Sequence, residues 1–86
     1  MTPAEALRRA ALAGRLGRFE VSWHASQRMK ERNVTRGDIA EALITATHAT
    51  AASRGRFHLS GGGDLQEAPL SVVIALVNGC VVVTVF

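Results

Sequence analysis

Cysteine is almost missing from this chain: Cys80 is the one thiol among 86 residues. That excludes any intrachain disulfide and fits a reducing compartment. Tyrosine is absent altogether, and the aromatic complement is one tryptophan and three phenylalanines. Any step that needs a phenol is therefore outside this chain's chemistry. Long apolar runs are also missing. The N-terminus lacks the continuous apolar core of a signal peptide. The C-terminal apolar stretch is interrupted by Asn78-Gly79 and is too short to cross a bilayer as a helix. These absences predict a soluble cytoplasmic protein with no membrane partner.

What remains is the material for one domain, residues 1–86, with a helix over 1–17 followed by a core over 19–86. A chain of this length buries about 60–65% of its unfolded surface, so its core is small. With 48% apolar and 20% charged residues it has a globular rather than a disordered composition. Ten Lys and Arg against seven Asp and Glu leave a formal charge of +3. A basic balance favours an anionic partner, nucleic acid first. Nine of the ten cations are arginine, a bias that codon composition alone also produces.

Local signals mark the elements. Thr2-Pro3-Ala4-Glu5 is a capping box with proline at the first helical position, so a helix starts there and stops near Gly14 or Gly17. Arg18-Phe19-Glu20-Val21 alternates, as a short strand or an extended lead-in. Ser22 caps a second helix that runs to Arg32, with Asn33 as its left-handed end. Thr35 and Asp38 box the start of a third helix, flanked by Val34 and Ile39. His48 to Gly55 reads as a fraying helix end and connector, Arg56 to Ser60 as a strand, and Gly61-Gly62-Gly63 as a flexible turn. Leu70–Val77 and Cys80–Phe86 surround Asn-Gly as a hairpin. A two-residue turn would pair Val77 with Cys80, Ile74 with Val83, Val73 with Thr84 and Ser71 with Phe86. Val72, Ile74, Leu76, Val81, Val83 and Val85 then form the core face. The expected fold class is α+β, with N-terminal helices packed on an antiparallel sheet of three or four strands.

Chemistry-bearing residues concentrate in Ser22–Asp38. On a helix, Ala25 and Met29 make a buried stripe, and His24, Arg28 and Arg32 at i, i+4, i+8 make a second stripe beside it. Two readings compete. One is a boundary helix whose arginines cover apolar surface with their stems and reach water with their heads. The other is RNA cleavage, in which a 2′-hydroxyl attacks the adjacent phosphate. That reaction needs a base, an acid and cations for charge developing on the phosphoryl oxygens. Histidine is a residue type that can serve as base or acid, which makes His24 the candidate base, and Arg28 and Arg32 offer forked donors for phosphate. His58, on the polar face of the next strand with Arg56, is the candidate acid, and Arg56 and Lys30 are candidate RNA contacts.

The blocks Ser22-x-His24-Ala25-x-x-Arg28-Met29-x-x-Arg32-Asn33-Val34-Thr35, Asp38-Ile39, Ala42-Leu43, Gly55-Arg56-Phe57-His58, Pro69-Leu70-x-Val72-Val73 and Val83-Thr84-Val85-Phe86 occur in this order. They resemble an uncharacterised bacterial domain family with the signature SxHAxxRMxxRxI over roughly residues 19–86. That family in turn resembles the BrnT and RelE-like toxins, small α+β ribonucleolytic domains often inhibited by an antitoxin. The resemblance implies a metal-independent endoribonuclease with no cofactor, in which His24, Arg28 and Arg32 are motif positions and Thr84 joins them from the last strand. Its implied partners are RNA, free or on the ribosome, and an antitoxin protein; a second copy of the chain in a homodimer is a further candidate.

Two residues depart from the family pattern. Phe86 stands where a tyrosine usually closes the domain, and Trp23 stands where polar or basic residues are usual. The alternative is therefore a non-catalytic protein- or nucleic-acid-binding module on the same scaffold. Metal binding has little support, because His24, His48 and His58 lack ligand spacing. The glycine run lacks the Lys-Ser/Thr of a phosphate loop, and Cys80 lacks a nucleophile motif.

Overall fold

Three polar caps set the helices in the computed structural model, which describes residues 1–86. Thr2 accepts a hydrogen bond from the Glu5 amide and opens α1 (Pro3–Leu16), which ends on Gly17 at a φ of 66°. Ser22 accepts from the Ala25 amide and opens α2 (Trp23–Arg32), which ends on Asn33 at a φ of 57°. Thr35 and Asp38 bond reciprocally at the start of α3 (Arg36–Thr45). Each is the capping residue that the sequence predicts, although the expected Thr2–Glu5 box forms only its Thr2 half.

The Asp38 carboxylate does more than cap. It accepts from the Thr35 amide at 2.9 Å and from the Leu65 amide at 3.1 Å, tying a distant loop to α3. These two bonds, with a smaller one from the Thr35 hydroxyl, hold its pKa below the usual 3.8. A carboxyl with a depressed folded pKa stabilises the fold above its unfolded pKa, and loses that contribution as pH falls through the folded one. Urea unfolding of wild type and Asp38→Asn is therefore expected to show a stability gap at about pH 7 that narrows at about pH 3. A gap that widens on acidification would refute this linkage.

The strands are β1 (Glu20–Val21), β2 (His48–Ala51), β3 (Arg56–Ser60), β4 (Val72–Ala75) and β5 (Val81–Val85), in the spatial order β1-β5-β4-β3-β2. Four strands are antiparallel, and β1 adds to β5 in parallel. The α+β class holds, but the sheet has five strands and is mixed, not three or four and purely antiparallel. Two short edges account for the difference. His48–Ala51, expected as a fraying helix end, is edge strand β2, whose apolar positions are only alanines and mark its inner face weakly. The extended lead-in becomes a two-residue strand whose partner lies far away in sequence.

A bulge corrects the hairpin register. Val72 pairs with Val85 and Val73 with Thr84 as expected, but Ile74 then faces Val82 and Ala75 faces Val81. The extra residue is Val83, so the expected Ile74–Val83 and Val77–Cys80 pairs are not made. At the other end the Phe86 amide donates to the Ser71 carbonyl at 2.9 Å. Asn78 and Gly79 do adopt positive φ, 57° and 115°, within a longer connection. One extra residue inverts the faces beyond it. Hence Val82 and Cys80 are buried, in place of the expected Val81 and Val83.

The core lies between one sheet face and the pair α1–α3. Phe57, Leu59, Val72, Ile74, Val82 and Val85 meet Ala6, Ala10, Ala13, Ile39, Ala42 and Leu43 there. Small residues on α1 allow a close approach: a Cβ at Gly14 would lie 2.8 Å from the Ala40 carbonyl oxygen. Cys80 is 5% exposed, and burial raises its thiol to about 11. It is a protonated, small apolar group at neutral pH. No helix is long and apolar enough to cross a membrane.

Candidate functional site

Ser22 fixes the start of α2 against the sheet. Its amide donates to the Val82 carbonyl at 2.9 Å, and its hydroxyl donates to the carbonyl of the bulged Val83 at 2.8 Å. The same oxygen accepts from the Ala25 amide at 3.0 Å. Sequence reasoning identifies this residue only as a cap; its second bond depends on a bulge that composition does not announce. From that anchor α2 packs along β5, burying Ala25 completely and Met29 in part.

The stripe follows from this orientation. His24 and Arg32 are exposed, and Arg28 between them is half-buried. The Arg28 Nε is fully buried and has no hydrogen-bond partner. Leaving such a donor unmatched costs about 1–3 kcal/mol. Lys30 is exposed on the same helix. The one ion pair of the molecule, Arg9 to Glu5 at 3.5 Å, lies on α1, so none of these cations is neutralised by a carboxylate.

The sheet presents a second set on the face turned away from α1 and α3. Strand register lines up Thr50, His58, Val73 and Thr84 across β2, β3, β4 and β5. His58 and Thr84 are thus two strand spacings apart, about 10 Å. His58 is exposed, Thr84 half-buried, and Arg56 sits on the same face opposite Ala75. The Phe86 ring lies 5.3 Å from the His58 ring, tilted by 41°. Phe86, which stands where the family usually has a tyrosine, shares His58's surroundings because β5 returns beside β4.

The structure therefore assembles two groups: His24, Arg28 and Arg32 on α2, and His58, Thr84 and Arg56 on the sheet. The link between them is β5, which carries Thr84 and supports α2; no hydrogen bond joins one group to the other. The expected cleft is an open surface. The largest cavity, about 420 Å³, lies between α3 and the glycine loop and is lined by Glu41, Thr45, Asp64 and Glu67. A second, about 330 Å³, lies between α1 and the β4–β5 connection beside Leu12, Leu16 and Cys80. No three His, Cys, Asp or Glu side chains gather as a metal-ligand set.

No curated protein and no solved structure matches the chain. A family model described as a domain of unknown function, DUF4258, matches residues 21–86, which takes in α2, the bulged hairpin and both groups of candidate residues and leaves only α1 and its link outside. By that match the chain belongs to the DUF4258 family.

Proposed function

We propose that this chain binds RNA and cleaves it without a metal, as a toxin-like endoribonuclease of a toxin–antitoxin system in the cytoplasm. The observation that carries the reading is the α2 stripe: His24 and two arginines without carboxylate partners, one with a buried, unmatched Nε. The resemblance to BrnT and RelE-like toxins supports it.

In the proposed reaction His24 takes the proton of the 2′-hydroxyl as its oxygen attacks phosphorus. The bond from phosphorus to the 5′-oxygen breaks, leaving a 2′,3′-cyclic phosphate and a free 5′-hydroxyl. Arg28 and Arg32 hold the non-bridging oxygens as charge develops on them. His58 or Thr84 approaches from the sheet, with His58 able to protonate the leaving oxygen. Lys30 and Arg56 contact flanking phosphates. An antitoxin or a second copy of the chain would regulate access to this surface.

The test is RNA integrity after induction of wild type, His24→Ala and Arg28→Ala, with end analysis of the products. Wild type is expected to cleave, and each variant to lose about 100-fold or more in rate while keeping its circular dichroism. Equal cleavage by all three folded proteins would overturn the assignment. Intact RNA in every case would favour the second reading, a binding module. That reading draws on Phe86 in place of a tyrosine, and on the outer edge of β2, free to take up an extended segment of a partner.

A further inference from the structure

We propose that Trp23 is a stacking platform for an unpaired RNA base, so that the α2 surface takes single-stranded rather than duplex RNA. The inference rests on the RNA reading above and names its substrate class. Trp23 is 77% exposed, the most exposed of the large apolar side chains, and it belongs to no part of the core. Tryptophan is a costly residue to leave in water, since it brings roughly 150–250 Å² of surface to any contact it makes. Folding does not use that surface.

Its position is nevertheless held. Trp23 is the first residue of α2, directly after Ser22, which makes two hydrogen bonds to β5 and caps the helix through the Ala25 amide. The ring is thus presented from a rigid element, next to His24 in the chain. Trp23, Gln27 and Lys30 at i, i+4, i+7 lie on one face, spanning about 10 Å along the axis. An aromatic ring, an amide and an ammonium in a row flank the His24–Arg28–Arg32 stripe.

Charge selects the occupant. Arg28, Lys30 and Arg32 on α2 face one acid on the same helix, Glu31, and none of the three is ion-paired. One aromatic surface among unneutralised cations suits a chain that is itself anionic and carries a π-face at each unit. In a duplex those faces are covered by neighbouring bases, so only an unpaired base can lie on the indole.

The sequence supplies a direct reporter. Trp23 is the single tryptophan and there is no tyrosine, so near-ultraviolet emission comes from this site alone. The probe is a 2′-O-methyl oligouridylate of about ten nucleotides, which lacks the attacking hydroxyl and so survives in the presence of active protein. Binding is measured by anisotropy of an end-labelled probe, and stacking, separately, by quenching with the unlabelled one. The expected result is quenching that follows occupancy, and affinity about tenfold or more weaker in Trp23→Ala. Trp23→Phe should retain part of the affinity, and annealing the probe to its complement should remove the quenching. Binding with unquenched emission and full affinity in Trp23→Ala would overturn the stacking role while leaving RNA binding intact. No anisotropy change with any form of the protein would overturn both.

Discussion

Removing residues 1–17 is expected to leave a chain without a cooperative unfolding transition, although everything removed lies outside the matched family segment. The reason is where α1 sits. Ala6 and Ala10 are fully buried, Ala13 nearly so, and all three belong to the same core as Ile39, Leu43, Phe57 and Leu59. Truncation would uncover α3 and the inner sheet face together. A domain of this size has roughly 5–15 kcal/mol in hand, so losing a whole layer over its core is not recoverable. One bond to α3 would go as well, the Gly17 part of a link that Phe19 completes. The Arg36 guanidinium donates to the Gly17 and Phe19 carbonyls at 3.1 and 2.7 Å, and lies 4.0 Å from the centre of the Phe19 ring. Thermal unfolding followed by circular dichroism, with dye binding to exposed apolar surface, measures the outcome. A truncated protein that melts within a few degrees of the full chain would mean that α1 is an appendage.

The second large effect lies in the glycine loop. A Cβ at Gly62 would lie 2.8 Å from both the Ala42 carbonyl oxygen and the Ala46 amide nitrogen. Both are backbone atoms of the last turn of α3 and cannot rotate away. The loop cannot withdraw without loss either, because the Gly63 amide donates to Thr45 Oγ1 at 3.0 Å and the Leu70 amide to the Gly62 carbonyl at 3.1 Å. Gly62→Ala is therefore expected to cost about 3 kcal/mol, the upper end of overpacking. That corresponds to a fall in melting temperature of roughly 12–24 °C. Gly55→Ala is the control: its φ is 70°, but an added Cβ meets nothing within 4 Å. Only the left-handed backbone penalises it, by about 1–2 kcal/mol. Equal losses in the two variants would show that the loop moves aside from α3.

That loop marks a limit of what the sequence tells. Three consecutive glycines predict a flexible turn, whereas their value here is closeness to a helix end, which depends on the whole fold. Features set by near neighbours are legible: the Thr2, Ser22 and Thr35 caps, the Gly17 and Asn33 stops, and the strand from Arg56 to Ser60. The stripe on α2 is legible for the same reason, because helical periodicity alone places His24, Arg28 and Arg32 together. Strand β2 is not, since in His-Ala-Thr-Ala the apolar positions are alanines, with too little bulk to mark a core face. The pairing of β1 with β5 rests on two residues whose partners are remote. The bulge at Val83 is a matter of one residue in a run of valines, where every register buries something apolar. Ser22 shows the boundary within one side chain: its local bond to Ala25 follows from sequence, its bond to Val83 does not.

The place of β5 has a consequence for how the molecule comes into being. The strand that comes fifth in chain order is an interior one, with β4 on one side and β1 on the other. Ser22 waits for a carbonyl 61 residues downstream. Contacts of such separation demand that a long stretch of chain be ordered before they return any stability, which slows folding. On the ribosome, therefore, α2 has no surface to lie against until Val85 has cleared the exit tunnel. Until then Ala25 and Met29 stand uncovered, and the nascent chain depends on whatever shields it there. The helix that carries His24, Arg28 and Arg32 is therefore seated only once β5 is in place.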